Sequence, residues 1–433
     1  MAQEPVVQPN RRTVLQVGAA TVGAHLATAN QSPGALNVET LALLGGPRAV
    51  RVSAGDASKW PRFGASEEQA VLALLRRPTY DPIQALEGEW KDYFGFPFAK
   101  SFCNGTSALT SMFFALDLPP GSEILVPSYT FFASIIPMRH FDLVPVFVDI
   151  NPRTLNFDLD DAKRRLTKNV RGVLPIHWFG LPCDMDAINA WAQEKGLIVL
   201  EDAAHAHGAK LQGKYMGQWG RMGMFSYQMS KPLPSMEGGM GVYQEQEDFD
   251  RATAFAHYNQ CSGKYARYRG TGLGMKLRMH PMAAALARCQ LQKLAGRNSS
   301  GLEQTRRLND RLIQLPGLYD QQTRSDCERL YYGNNVLFID ESQAGMSRAA
   351  CVKALRAEGV AARSYTYPLQ HEMTVYSESQ WWHHQPVIGQ LPGSTQANET
   401  AIALPYFTKN VPELVDQYAL AFEKVWSHRQ QLS

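Results

Sequence analysis

The sequence carries almost no excess of either charge: 43 Lys and Arg stand against 40 Asp and Glu in 433 residues. With no long basic run, it offers no expected nucleic-acid surface. It also lacks closely spaced cysteines. Cys103, Cys183, Cys261, Cys289, Cys327 and Cys351 form no Cys-x-x-Cys pair, so neither a compact zinc site nor any other metal site is expected. Their scatter is not that of a disulfide scaffold, and mostly reduced, buried thiols are expected instead. Long apolar runs are missing as well. The stretch Val14 to Leu26 is too short and too rich in Gly and Ala to span a bilayer, so stable membrane insertion is not expected.

What is present near the N-terminus has a different meaning. Arg11-Arg12-Thr13 precedes that mild apolar stretch, and Ala27-Thr28-Ala29 follows it. A twin arginine, a weakly hydrophobic segment and a small-x-small cleavage site, in that order, resemble a twin-arginine export signal over residues 1–29. The expectation is export to the periplasm, with a cytoplasmic protein as the alternative.

The remaining composition, 45% apolar and 19% charged with 34 Gly and 25 Pro, is that of an ordinary globular chain with a sizeable core. Short apolar runs alternate with amphipathic stretches. Strands are expected at Glu123–Pro127, Val144–Asp149, Val170–Trp178 and Leu197–Asp202. Helices are expected at Ala108–Leu116, Phe131–Phe141 and Leu159–Thr167, and from an Asp184 cap to a stop at Gly196. Strands alternating with helices predict an α/β fold with a mostly parallel sheet covered on both faces. A strongly helical run over 282–312 then precedes strand Asn335–Ile339 and helix Arg348–Glu358. The expected organisation is a large domain over 30–314 and a smaller C-terminal α+β domain over 315–433.

Ligands of such sheets sit beyond the carboxyl ends of the strands, and four features belong there. Asn104-Gly105-Thr106-Ser107 opens a helix, offering free N–H groups, hydroxyls and the positive end of the dipole to a phosphate. Alone it is weak, because many helices start this way as simple caps. Glu201-Asp202-Ala203-Ala204-His205-Ala206-His207 follows a buried strand, where an acid is costly without a cationic or hydrogen-bonding partner. Asp202 facing a pyridine nitrogen would keep that nitrogen protonated. His205 would lie near the same ring, while His207 is read as packing or surface. Phe225-Ser226-Tyr227-Gln228-Met229-Ser230-Lys231 leads from an apolar strand into Glu237-Gly238-Gly239, a poor setting for a solvated lysine and a good one for a Schiff-base amine. Ser226 would add a phosphate contact. Finally, Pro127-Ser128-Tyr129-Thr130-Phe131 places an aromatic ring just past a strand; Phe131 could stack on a flat cofactor, though by itself it reads as core.

Taken in this order, the motifs are similar to those of the fold-type I pyridoxal phosphate (PLP) enzymes of the DegT/StrS group, the sugar-nucleotide and cyclitol aminotransferases. The likeness runs from roughly residue 40 to 425, through Gly272 to Met279 and Ala403-Leu404-Pro405-Tyr406-Phe407. It implies Lys231 as the PLP lysine, Asp202 as the partner of the pyridine nitrogen and Phe131 as the stacking ring. It also implies phosphate contacts from Gly105, Thr106, Ser107 and Ser226, with His205 near the ring. Lys276 stands where many members have an Asn that reaches the phosphate across a homodimer interface. The implied reaction moves an amino group from glutamate or glutamine to a keto sugar, often nucleotide-linked, or a keto cyclitol. Relatives that dehydrate sugars typically carry His in place of the lysine. A dehydratase or aromatising enzyme of this fold, and an exported non-catalytic binding protein, are the alternatives. Near matches elsewhere fail: Gly208 to Tyr215 lacks the Ser/Thr of a phosphate loop, and Gly270-Thr271-Gly272 lacks the third glycine of a dinucleotide fingerprint.

Overall fold

The computed structural model describes residues 39–432; the twin-arginine segment lies outside them. Five parallel strands, Val144–Val148, Glu123–Pro127, Val170–Val173, Ile198–Asp202 and Met222–Ser226, lie side by side in that order. Gly239–Tyr243 joins the last of these antiparallel, and Phe98–Phe102 closes the edge of the seven-stranded sheet. Val, Ile and Leu are concentrated in Val144–Val148, Glu123–Pro127 and Ile198–Asp202, where both faces are covered and branched residues suit a pleated surface. Leu109, Met112 and Phe113 of helix Gly105–Leu116 cover one face together with Phe255 of helix Gln246–Ala256. Leu86 and Trp90, Ile188 and Trp191, and Leu291 cover the other. They come from helices Asp81–Phe94, Met185–Lys195 and Pro281–Leu312. The fold is the expected α/β arrangement with a mostly parallel sheet.

A second, antiparallel sheet has the strand order Leu318–Asp320, Asn334–Ile339, Ala401–Pro405, Arg363–Ser364. Its own apolar cluster takes Leu355 from helix Arg348–Ala357 and Phe422 from helix Pro412–Ser427, and also Leu41 and Ala57 from the start of the described chain. Among the described residues no helix is long and apolar enough to cross a membrane. The six cysteines are unpaired; Cys183, Cys261 and Cys351 are buried, whereas Cys103, Cys289 and Cys327 are only partly so.

Four local expectations need correction. The helix expected over Phe131–Phe141 is two 3₁₀ turns, Phe132–Ser134 and Ile136–Phe141, broken at Ile135. Pro137 has no N–H with which to continue a helix from the preceding turn. Val170–Trp178 stops as a strand at Val173, because Pro175 cannot donate to a ladder. The helix at Leu159 ends at Arg164 rather than Thr167. Asp184 precedes its helix without capping it; its carboxylate meets Arg324 at 3.3 Å instead.

Candidate active site

Phe102, Pro127, Asp202 and Ser226 end strands that run the same way, so the residues after them gather along one rim of the sheet. Helix Gly105–Leu116 starts on that rim. Asn104 caps it, accepting from Ser107 N at 2.8 Å, while Gly105 and Thr106 keep N–H groups with no intrahelical acceptor. Glycine is required at position 105 by close approach: a Cβ would stand 2.9 Å from Met224 Sδ and 3.0 Å from Ser226 Cβ. Gly239 is tighter still, since its Cβ would lie 2.5 Å from the Asn104 carbonyl carbon. These contacts set the helix start directly against Ser226, whose hydroxyl accepts from Gln228 N at 3.3 Å.

Asp202 is buried at the end of its strand. Oδ2 accepts from Ser134 Oγ at 2.7 Å and Oδ1 from Ala204 N at 3.0 Å. Burial nonetheless raises its pKa, outweighing those two hydrogen bonds and the attraction of Lys231 and His177. His205 is buried with Nδ1 lacking a partner, and burial pushes its pKa well down, helped by the Lys231 charge. Its ring stacks on Tyr332 at 4.1 Å. Lys231 Nζ lies 4.7 Å from the centre of that same Tyr332 ring, so the three groups form one cluster. The turn that carries the lysine is pinned by Lys231 N to Gln228 O at 2.8 Å and by Ser230 Oγ to Tyr332 OH at 2.7 Å.

Phe131 is not core: it is 53% exposed beside Phe132. It forms one wall of an open cavity of about 440 Å³ that Tyr367 and Met373 also line. His207 packs in the interior among Trp90, Phe225 and Tyr227. Lys276 stands apart from the lysine cluster. It is exposed on a cleft of about 1050 Å³ shared with Tyr80, Cys103, Glu237 and Arg278. Ser134 and Tyr332 went unrecognised in the sequence. Neither sits in a local motif, and Tyr332 reaches the rim from the second sheet's side of the chain.

These residues suit a planar, phosphorylated cofactor with a basic ring nitrogen. Open N–H groups at Gly105 and Thr106 and the Ser107 and Ser226 hydroxyls are phosphate ligands by type. Asp202 is a buried acid that lacks a strong cationic partner, and His205, three residues on, has an unpartnered ring nitrogen.

The chain matches the model of the DegT/DnrJ/EryC1/StrS aminotransferase family over residues 62–422. It is 31% identical to the spore coat polysaccharide biosynthesis protein SpsC of Bacillus subtilis, over 69% of this chain and 79% of that one. It is 30% identical to UDP-N-acetyl-3-dehydro-alpha-D-glucosamine 3-aminotransferase of Acidithiobacillus ferrooxidans, over 77% of this chain and 85% of that one. The aminotransferase structure from Psychrobacter cryohalolentis superposes with a TM-score of 0.77 at 24% identity, covering 86% and 99% of the two chains.

Proposed function

We propose, for a chain that belongs to the DegT/DnrJ/EryC1/StrS aminotransferase family and is therefore a PLP-dependent aminotransferase, that Lys231 is its cofactor lysine. The reaction would move the amino group of glutamate or glutamine to a keto sugar or keto cyclitol. The observation that carries this reading is the buried, under-partnered Asp202 beside Lys231 and an open helix start.

Bound PLP would supply the electron sink and the carbon through which nitrogen passes. The chain's own residues do the rest. The N–H groups of Gly105 and Thr106, with the Ser107 and Ser226 hydroxyls, hold the phosphate. Asp202 keeps the ring nitrogen protonated, and its own ionisation becomes favourable once that cation is beside it. His205, neutral because it is buried, offers Nδ1 to the ring's edge. Phe131 would offer an aromatic face to the cofactor's plane. Lys231 would be the group that moves the proton on and off the substrate carbon. A lysine rather than a histidine at this position is the feature that favours amino transfer over dehydration.

The test is spectroscopic and kinetic. Purified protein should show a visible absorption band that Lys231→Ala abolishes, and should aminate one of a panel of keto sugars, nucleotide-linked and free, or keto-inositols. A colourless protein that cannot be reconstituted with PLP would refute the assignment of Lys231. A homodimer belongs to the same proposal, with Lys276 lending its charge to the phosphate of the neighbouring subunit. Lys276→Ala should then weaken PLP retention without altering the band of the retained fraction. Export rests on Arg11 and Arg12; replacing both with Lys should hold the protein in the cytoplasm with its N-terminus uncut.

A further inference from the structure

Arginines in this chain commonly find carboxylates. Arg221 meets Asp248 at 2.6 Å, Arg288 meets Glu89 at 2.5 Å and Arg324 meets Asp186 at 2.7 Å. Arg297, midway along helix Pro281–Leu312, does not. Among the described residues no carboxylate lies within ion-pair distance of it, although it is more deeply enclosed than those three. Burial lowers its pKa to about 10, with Glu67 acting only from a distance. Its guanidinium donates to Pro232 O at 3.2 Å, to Gln290 O at 3.1 Å and to the Gln290 side chain. The Trp60 ring lies 5.1 Å away. A guanidinium has five N–H donors, and here the Nε–H has no acceptor. An enclosed cation without a counter-ion is costly, and a ligand anion offsets that cost.

The same side chain lines a cavity of about 300 Å³. Trp60, Tyr332 and Tyr406 form aromatic walls, and Ser230 and Pro232, the residues on either side of Lys231, line it too. Tyr332 is the ring over which Lys231 Nζ sits. The cavity therefore lies against the loop that carries the reactive amine, with one cation on its wall.

We propose that this cavity is the donor subsite and that Arg297 recognises the α-carboxylate of the incoming amino acid. The inference rests on the aminotransferase reading and adds a residue for donor binding. Size selects between anions: a cavity at the low end of ligand-pocket volumes holds a five-carbon amino acid but not a nucleotide-linked sugar. A charge-assisted contact to Arg297 gives the amino acid affinity and turns it toward Lys231.

The experiment uses PLP-loaded full-length protein and follows bleaching of the visible band as L-glutamate, L-glutamine or the α-carboxamide of glutamate is titrated in single turnover. Arg297→Met should raise donor half-saturation by at least roughly tenfold, the loss expected for a charged hydrogen bond. The band and the KM of the keto acceptor should be unchanged, and Arg297→Lys should recover part of the loss. Wild type should bind the carboxamide poorly, and Arg297→Met should discriminate against it much less. Unchanged donor half-saturation in Arg297→Met overturns the proposal, as does a rise confined to a phosphorylated acceptor. Loss of the band or of PLP affinity with donor binding intact would instead make Arg297 a brace for the Lys231 loop, and also overturns it. Should Arg297→Met fail to fold, Arg297→Lys with the two donor forms gives the same discrimination. A wild-type band that no amino acid bleaches would refute the transaminase reading itself, a separate failure.

Discussion

Glu201 and Asp202 are consecutive residues at the end of one strand, both buried, and they face opposite ways into very different surroundings. The Glu201 carboxylate is fully used. It pairs with His177 Nε2 at 3.0 Å and accepts from the backbone N–H groups of Gly217, Trp219 and Gly220 at 2.7, 2.7 and 2.5 Å. Asp202 has only Ser134 Oγ and Ala204 N, and burial raises its pKa despite them. The two histidines of the segment differ in surroundings, though both carry unpartnered ring nitrogens. His205 stacks on Tyr332 beside Lys231, whereas His207 is enclosed by Trp90, Phe225 and Tyr227. The Glu201 carboxylate is satisfied by the protein alone, whereas that of Asp202 is not. Between these two carboxylates, incomplete satisfaction, more than burial itself, marks the functional candidate.

Neutralising each acid in turn breaks the comparison most directly. Asp202→Asn should cut turnover by on the order of 100-fold or more, because the ring nitrogen loses its anionic partner. The same change should leave the thermal stability of the PLP-free protein unchanged or higher, since an unfavourably buried charge is removed. Glu201→Gln should do the reverse. Unpairing a buried carboxylate from its hydrogen-bond donors costs about 3 kcal/mol, so its melting temperature should fall with or without PLP. Activity per folded molecule should be largely retained. Paired melting and kinetic measurements check both, and a destabilised Asp202→Asn apoprotein would count against the assignment.

Much of this was legible in the residues. The apolar strands, the glycine-marked helix start and the order of Asn104, Asp202 and Lys231 were enough to fix an α/β sheet with chemistry on one rim. What the sequence concealed depended on long-range closure. Pro137 splits an expected helix into two 3₁₀ turns, and Ser134 in the first of them reaches Asp202. Tyr332 lies 102 residues beyond Ser230 yet shares a hydrogen bond with it. Phe131 looks like core by composition because apolar character alone cannot show that the neighbouring wall is absent. Arg297 carries no local signal, since the absence of a counter-ion is a property of the folded environment.

His207 offers a gentler test through pH. Burial takes His207 from an ordinary 6.5 to about 3, with Lys231 and Arg297 adding to the shift. The folded pKa lies below the unfolded one, so between those values the unfolded chain binds more protons. Stability is therefore complete above about pH 6.5 and falls as pH drops toward 3, by at most about 1.4 kcal/mol per pH unit for this group. His207→Leu should flatten that acid limb in urea titrations between pH 4 and 6.5 while leaving cofactor affinity alone. An unaltered slope would mean that His207 is not held neutral by the fold.

The smallest change addresses how Asp202 is kept ready. Ser134→Ala removes the 2.7 Å bond to Oδ2 and leaves the carboxylate one protein donor, Ala204 N. The pKa of Asp202, already raised, should climb further in the apoprotein. More of the group is then protonated near neutrality, and binding a protonated pyridine requires that proton to leave. PLP affinity should weaken by about 1 kcal/mol, roughly fivefold, with the deficit growing as pH falls. Titrating PLP into Ser134→Ala apoprotein across pH 6 to 8 measures that dependence. A loss equal at every pH would place Ser134 in packing, because only an effect relayed through the ionisation of Asp202 is pH-dependent in this direction.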